Sequence, residues 1–253
     1  MPMSAIRLVS VIAGNAGFGQ PPANKVRTLI GKRIVNWTSA ADASLVVFPA
    51  GYLRAGGSGP GSALATAGNL VSAARSLNVA ILLGVDVGAQ KKAGGKSQVG
   101  VRALKGQLPF FAVAWAPGMV APVLWRQRST TSSNWRGVAH GEWEPPREIT
   151  VRGKRIAVAL CGEAFSQPLR TALLERRPRL SVVLIPAHTA KGSRHSNALK
   201  YFGERDLAAV RAVHAQNRAD NYLWVGGKKR APVKRGAFGS RDELWAEASV
   251  FHL

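Results

Sequence analysis

The chain has 253 residues, of which 46% are hydrophobic, which is enough for one large globular domain and excludes a mainly disordered protein. Its single cysteine excludes an internal disulfide, and no C-x-x-C or H-E-x-x-H spacing indicates a metal site, so we expect a reducing, cytoplasmic setting and no cofactor. The 35 Lys and Arg residues against 13 Asp and Glu give a formal charge of +22, which favours a polyanionic partner such as nucleic acid, while the longest apolar runs are shorter than the roughly 18 residues of a membrane span.

Apolar runs rich in Val and Ile and bounded by Gly, Pro and Asn predict the strands. In chain order they cover residues 6–13, 44–49, 79–87, 98–104, 110–116, 121–126, 155–160, 181–186 and 222–227. Longer segments rich in Ala, Leu and Arg predict helices at residues 23–37, 61–77, 166–175 and 198–218. Alternation of strands and helices at both ends, with consecutive strands between them, favours a single α/β domain over residues 1–253 with mixed sheets covered by helices.

Three sequence blocks, in this order, carry a resemblance to a known family. They are ADASLVVFPAGYL at 41–53, GKRIAVALCGEAFSQPLR at 153–170 and LSVVLIPAHTA at 180–190. A further segment, ERDLAAVRAVHAQNRADNYLWVGG, resembles the same family's helix and following strand near its C-terminus. In order and spacing the chain resembles the nitrilase, or carbon–nitrogen hydrolase, superfamily over nearly its whole length.

The resemblance implies a four-layer αββα sandwich of the nitrilase type, with two mixed sheets covered by helices, and pairing of subunits through their helices into a homodimer. It also implies a chemistry in which a Cys attacks an amide or nitrile carbon, a Glu moves the proton and a Lys supports the oxyanion. The substrate would then be a small amide or nitrile, and water or an amine would resolve the acyl-enzyme.

Two of the three positions that the resemblance assigns are substituted. Cys161 falls on the nucleophile position, at the end of a predicted strand and before Gly162, which leaves room for substrate. Ala50 falls on the position of the Glu, and a methyl group accepts no proton. The segment that resembles the family's Lys region offers Arg126, Gln127 and Arg128 instead, and either Arg would give an oxyanion positive charge in a different geometry.

Other side chains are candidates to replace the missing base. Glu163 lies two residues after the cysteine, although a hydrogen bond that fixes the turn is the plainer interpretation of a carboxylate there. Glu142 and Glu144 lie in a long loop over 127–148, where exposed salt bridges to arginine are the alternative. His188 follows another strand, so a Cys–His pair is a further alternative, against a structural hydrogen-bonded histidine.

A basic segment near the C-terminus is the clearest candidate for a polyanion-binding surface. Its cations are Lys228, Lys229, Arg230, Lys234 and Arg235. Trp135 and Trp143 in the long loop are candidates to stack on bases, with packing as the alternative.

Two functions follow from these residues. One is a thiol hydrolase or acyltransferase that acts on a carbon–nitrogen bond, with Cys161 as nucleophile, Arg126 or Arg128 at the oxyanion and Glu163 or Glu142 as base. The other is a nitrilase-type protein with weak or no amidase activity that binds nucleic acid. Ala50, the missing Lys and the charge of +22 together favour the second.

Overall fold

A computed structural model describes residues 6–14, 24–57, 59–88, 90–93, 96–99, 108–128, 147–188, 194–215, 221–240 and 244–253. The helices are α1 Asn24–Ala40, α2 Pro60–Ser76, α3 Gln167–Leu174 and α4 Arg194–Gly203, with a 3₁₀ helix at Cys161–Phe165. The first eight strands are β1 Arg7–Gly14, β2 Leu45–Val47, β3 Leu53–Ala55, β4 Ala80–Val87, β5 Gln90–Ala93, β6 Lys96–Val99, β7 Phe110–Trp115 and β8 Val123–Arg126. The others are β9 Glu148–Val151, β10 Lys154–Val158, β11 Val182–Ala187, β12 Ala208–Ala215, β13 Leu223–Val225, β14 Lys228–Arg230, β15 Lys234–Ser240 and β16 Leu244–His252.

One mixed sheet connects most of these strands. Its main path runs β8-β7-β4-β2-β1-β12-β11-β10-β9, while β5 and β6 form a separate pair. The strands from β4 to β10 along this path are mutually parallel, so their C-terminal ends point to one edge of the sheet. Side chains that follow these strands are therefore brought together, as at the carboxyl edge of other parallel sheets.

The pleat sorts the side chains of the sheet into an inner and an outer face. The inner cluster joins residues from the two halves of the sheet. Leu82 and Ala112 come from one half, and Val158 and Leu184 come from the other. On the outer faces, one cluster packs α1 and α2 against the first half and another packs α3 and α4 against the second. A mixed sheet with helices packed on its outer faces is the α/β class predicted from the sequence.

The predicted helix over residues 198–218 is wrong in its second half. Helix α4 ends at Gly203, and Ala208–Ala215 is strand β12, which lies between β1 and β11. Alanine and arginine in this segment favour a helix in isolation, but burial in the middle of the sheet overrides that propensity. This correction matters for function because it brings His214 to a strand end.

Two further differences concern the sheet. Strands β15 and β16 near the C-terminus were not predicted, although β16 pairs along nearly all of β1. The strand predicted over residues 98–104 is described only to Val99, within β6, and its remainder lies outside the described residues. Among the described helices, none is long and apolar enough to span a membrane.

Candidate active site

Cys161 lies just beyond the end of β10, at the first position of the 3₁₀ helix. Its φ of 43° is in the left-handed region, which is uncommon for a residue with a side chain and recurs at strand-to-helix turns that present a nucleophile. The thiol is half-buried and packs near Ile12, Ala187, Val213 and Trp245. The turn therefore presents the sulfur at the carboxyl edge of the sheet, as the sequence predicted.

His188 follows β11 and connects the cysteine to a carboxylate. Its Nε2 lies 3.0 Å from Asp86 Oδ1, and its ring also hydrogen-bonds to Cys161. Phe110 packs against the imidazole with a distance of 4.3 Å between ring centroids. These three contacts fix the orientation of the imidazole between sulfur and carboxylate.

The charge of His188 is set by two opposing effects. Burial lowers the pKa of the imidazole, but Asp86 and Cys161 together raise it to about 10. The ring is thus an imidazolium at neutral pH, and a cation of this kind beside a sulfur favours the thiolate. Asp86, His188 and Cys161 thus lie in the order in which a catalytic triad places its orienting group, its base and its nucleophile.

Asp86 lies beside the turn that carries Ala50. Ala50 is buried and belongs to the inner cluster. A Cβ on Gly84 would lie 2.2 Å from the Pro49 carbonyl oxygen, so the two backbones are in direct contact. Gly51 has a φ of 65°, and a Cβ there would lie 2.5 Å from Asp86 Oδ2. The carboxylate of Asp86 therefore occupies the neighbourhood of the position where the family's Glu is absent.

Buried Arg27 of α1 holds the turn after Ala50. Its Nη1 donates to the carbonyl oxygens of Gly51, at 3.0 Å, and Tyr52. The Tyr52 hydroxyl donates in return to the Arg27 carbonyl oxygen at 2.9 Å. Burial and the neighbouring Arg54 lower the pKa of Arg27 to about 10, which leaves it charged at neutral pH. A buried cation thus fixes one wall of the site.

Glu163 has the contacts of a group that fixes the turn. Its carboxylate is fully buried, accepts from Arg147 Nη1 with 2.6 Å to each oxygen, and accepts from the backbone N–H groups of Arg128 and Leu160. Burial raises the pKa of this carboxyl, while Arg147 and the two N–H donors oppose the rise. The contacts support the structural alternative, and its role as the base stays a prediction.

The segment that resembles the family's Lys region places its three side chains differently. The guanidinium of Arg126 lies 5.0 Å from the ring centroid of Phe111, which belongs to the outer cluster of α1 and α2. Gln127 follows on the opposite face, buried, with its N–H donating to the carbonyl oxygen of Phe110. Since Phe110 packs on His188, the pleat favours Gln127 over Arg126 as the residue that faces the site. Arg128 meets the site region through its N–H bond to Glu163.

His214, at the end of β12, is a second histidine at the same edge. Ala187 and Val213 are register partners, so His188 and His214 follow at adjacent positions of two parallel strands. Burial lowers the pKa of His214 well below its ordinary value, and Arg27, His188 and Arg54 lower it further. The ring is therefore neutral at neutral pH.

The basic segment forms an exposed surface distant in sequence from these residues. Lys228, Lys229 and Arg230 are exposed on β14, and Lys234 and Arg235 are exposed at the start of β15. Lys229 Nζ lies 4.6 Å from the ring centroid of Tyr222, and Arg235 lies 3.7 Å from Glu247. We call these five cations the basic hairpin, after the β13–β14 hairpin that carries the first three, while β15 pairs with β16.

Several predicted residues lie outside the described residues, namely Glu142, Glu144, Trp135 and Trp143. Within the described ranges, no group of three or more His, Cys, Asp or Glu side chains is arranged to hold a metal ion.

Comparisons with solved structures identify the fold. An amidase from Nesterenkonia sp. matches with a TM-score of 0.64 and 13% identity over 99% of this chain and 92% of the amidase chain. A Cys-to-Ala mutant of the Nesterenkonia AN1 amidase from the nitrilase superfamily matches with a TM-score of 0.64 and 14% identity over 100% and 92% of the two chains. A Glu-to-Leu mutant of that amidase, with the acetamide moiety of fluoroacetamide added covalently at its active-site cysteine, matches with a TM-score of 0.65 and 13% identity over 99% and 92%.

This chain therefore has the fold of nitrilase-superfamily amidases, and the fold predicted from the sequence is confirmed. No family model matches the sequence, and no curated protein is significantly similar to it.

Sequence reasoning missed Asp86 and His214 as site residues. Asp86 is the one carboxylate in the apolar strand β4, and a buried carboxylate requires a partner, so its isolation was a usable signal. His214 was assigned to a helix, which hid its position at a strand end.

Proposed function

We propose that the chain is a thiol-dependent hydrolase of the carbon–nitrogen bond of small amides, with Cys161 as nucleophile, His188 as acid and base, and Asp86 as the orienting group. The observation that carries this proposal is the position of His188, in contact with both Cys161 and Asp86. The sequence favoured loss of catalysis because Ala50 removes the family's base. The geometry supports a replacement for this base, formed by Asp86 of β4 and by His188, which follows β11.

The reaction proceeds through an acyl-enzyme. The Cys161 thiolate forms a bond to the amide carbon, and His188 gives its proton to the nitrogen as the carbon–nitrogen bond breaks and the amine leaves. The now neutral imidazole takes a proton from water, the resulting hydroxide attacks the thioester carbon, and the carbon–sulfur bond breaks. The products are an amine or ammonia and a carboxylic acid, with the thiolate and imidazolium restored.

Amides are the proposed substrate class because of the amidases that share the fold. One Nesterenkonia mutant structure contains acrylamide, and another shows an acetamide moiety bound to its cysteine. Intact-mass spectrometry of this chain with fluoroacetamide should show one adduct on Cys161. His188→Gln should slow its formation by about 10²-fold, in keeping with the loss of general acid–base help, whereas Cys161→Ala should abolish it. We call the series Asp86, His188 and Cys161 the relay. An adduct that forms equally fast in His188→Gln would overturn it.

A second function, binding of a polyanion such as nucleic acid, is favoured by the exposure of all five cations of the basic hairpin. Phosphate-driven binding falls steeply with salt, by roughly 500-fold between about 50 and 200 mM salt when each of the five cations neutralises one phosphate. Retention on a nucleic-acid column should show this slope, and a variant with Lys228, Lys229 and Lys234 changed to Gln should flatten it. Retention that does not depend on salt, or its absence, contradicts this function.

Three further features stay predictions. The single domain over residues 1–253 agrees with one sheet that contains strands from both ends of the chain. Pairing through helices is testable by light scattering, and Leu29 of α1, which is 63% exposed, is the apolar side chain whose change to Lys should weaken such a pair. The cytoplasmic setting follows from the single cysteine alone.

A further inference from the structure

His214 is a buried polar side chain that the proposed reaction does not use. It is only 3% exposed, and neither ring nitrogen has a hydrogen-bond partner among the described residues. Buried polar groups are almost always paired, so such an exception in a native structure requires an explanation. The His214 ring lies at the candidate active site, where a bound ligand would supply the hydrogen-bond partner that the ring lacks among the described residues.

The pleat turns His214 toward the reacting groups. Ala208, Val210 and Ala212 of the same strand belong to the inner cluster, and His214 continues their alternation. His188 occupies the adjacent position just after β11, and its charge helps to lower the pKa of His214. The ring also lies close to the backbone of Ala50. His214 is thus near both His188 and the position that has lost its Glu.

The surroundings also determine which hydrogen bond the ring offers. Burial, and then the cations Arg27, His188 and Arg54, keep the ring neutral, so that it carries one N–H and one bare nitrogen. The Ala50 backbone acts on it as an acceptor, which favours the N–H on that side, although the geometry falls short of a full hydrogen bond. The bare nitrogen then remains as an acceptor for a donor supplied by the ligand.

We propose that His214 is a substrate-binding residue whose bare nitrogen accepts a hydrogen bond from the N–H of the substrate carboxamide. This inference rests on the proposed function, because it assigns the group that recognises the amide attacked by Cys161. It makes His214 the determinant that distinguishes an amide from an ester, which has no N–H. Recognition of this kind is discriminating because an analogue without the donor leaves a buried acceptor unpaired.

The test uses three thiol probes on the intact chain and follows the Cys161 adduct by mass spectrometry. The probes are acrylamide, its ester analogue methyl acrylate, and methyl methanethiosulfonate, which reports the reactivity of sulfur alone. His214→Phe keeps the ring and removes both nitrogens, and it should slow the acrylamide adduct about tenfold, the value of one hydrogen bond, without slowing the other two. His214→Gln, which retains an acceptor oxygen, should restore most of the acrylamide rate.

The outcomes separate this inference from the proposed function. Equal slowing of all three probes in His214→Phe, or no change with acrylamide, overturns the role of His214 while the relay stands. If His188→Gln changes the preference for acrylamide over the other two probes, that result bears on the Asp86–His188–Cys161 relay and not on His214. If acrylamide does not react with the wild-type chain, nitrogen NMR of the Cys161→Ala protein gives a direct readout. Acrylamide should then shift the His214 ring resonance and methyl acrylate should not, and an unshifted resonance overturns the inference.

Discussion

The candidate active-site edge of the sheet and the basic hairpin use cations in opposite ways. At the edge, Arg27 and Arg147 are buried and each donates several hydrogen bonds to a turn or carboxylate. On the hairpin, Lys228 and Lys234 are exposed to water. The difference shows that the charge of +22 is not a single property, because buried cations fix geometry while exposed cations set the field that reaches a partner.

The largest effect that this comparison predicts is the loss of Arg147. Arg147→Ala leaves the fully buried Glu163 without its cation, and breaking a buried pair in this way costs about 3–5 kcal/mol. Urea unfolding followed by circular dichroism should show the corresponding drop in the free energy of unfolding. The double variant Arg147→Met with Glu163→Gln is the control and should recover part of the loss. A decrease below about 1 kcal/mol in the single variant contradicts the assigned role of the pair.

The next effect concerns pH and the relay. The pKa of His188 is raised to about 10 in the folded chain, so the ion pair stabilises the fold fully below the unfolded value near 6.5 and is lost as pH rises through about 10. In Asp86→Asn the carboxylate is gone and burial lowers the pKa of His188. The wild-type sulfur should therefore react with iodoacetamide already at pH 6.5, whereas the variant should react only as pH approaches about 8.5, the ordinary range of a thiol.

The labelling rates at pH 6.5 should differ by about tenfold or more, because few thiols are ionised two units below their pKa. Glu148→Gln is a matched control, since Glu148 pairs with Arg155 and Arg176 away from the sulfur. Identical pH profiles for Asp86→Asn and the wild type are the result that removes Asp86 from the relay.

The smallest effect belongs to the hairpin. Lys234→Ala and Lys229→Ala should each change the free energy of unfolding by no more than about 0.5 kcal/mol, because exposed cations contribute little to the fold. Thermal unfolding at matched ionic strength measures this. A larger loss in Lys229→Ala alone would show that its position over Tyr222 stabilises the hairpin.

The sequence predicted the fold and the position of Cys161 at a strand end, but not the neighbours that complete the candidate site. Strands such as β4 and β10 were found because their apolar runs are continuous, and Cys161 was placed by the motif around it. Asp86 was overlooked because Ala50, whose expected acid it replaces in the proposed function, lies in the turn after β2, so that the two positions are in distant segments of sequence. His214 was lost because Ala208–Ala215 contains good helix formers, and only the neighbours β1 and β11 make it a strand.

The contacts around residue 50 bear on whether this site could accommodate an acid at that position as well as Asp86. Gly84 lets two backbones touch, Gly51 leaves its Cβ space to the Asp86 carboxylate, and His214 lies against the Ala50 backbone. A glutamate introduced at position 50 would bring a second negative group close to the first, and neighbouring like charges resist joint ionisation. Under the proposed function the two arrangements are thus alternatives, and a change from one to the other requires substitutions both in the turn after β2 and on β4.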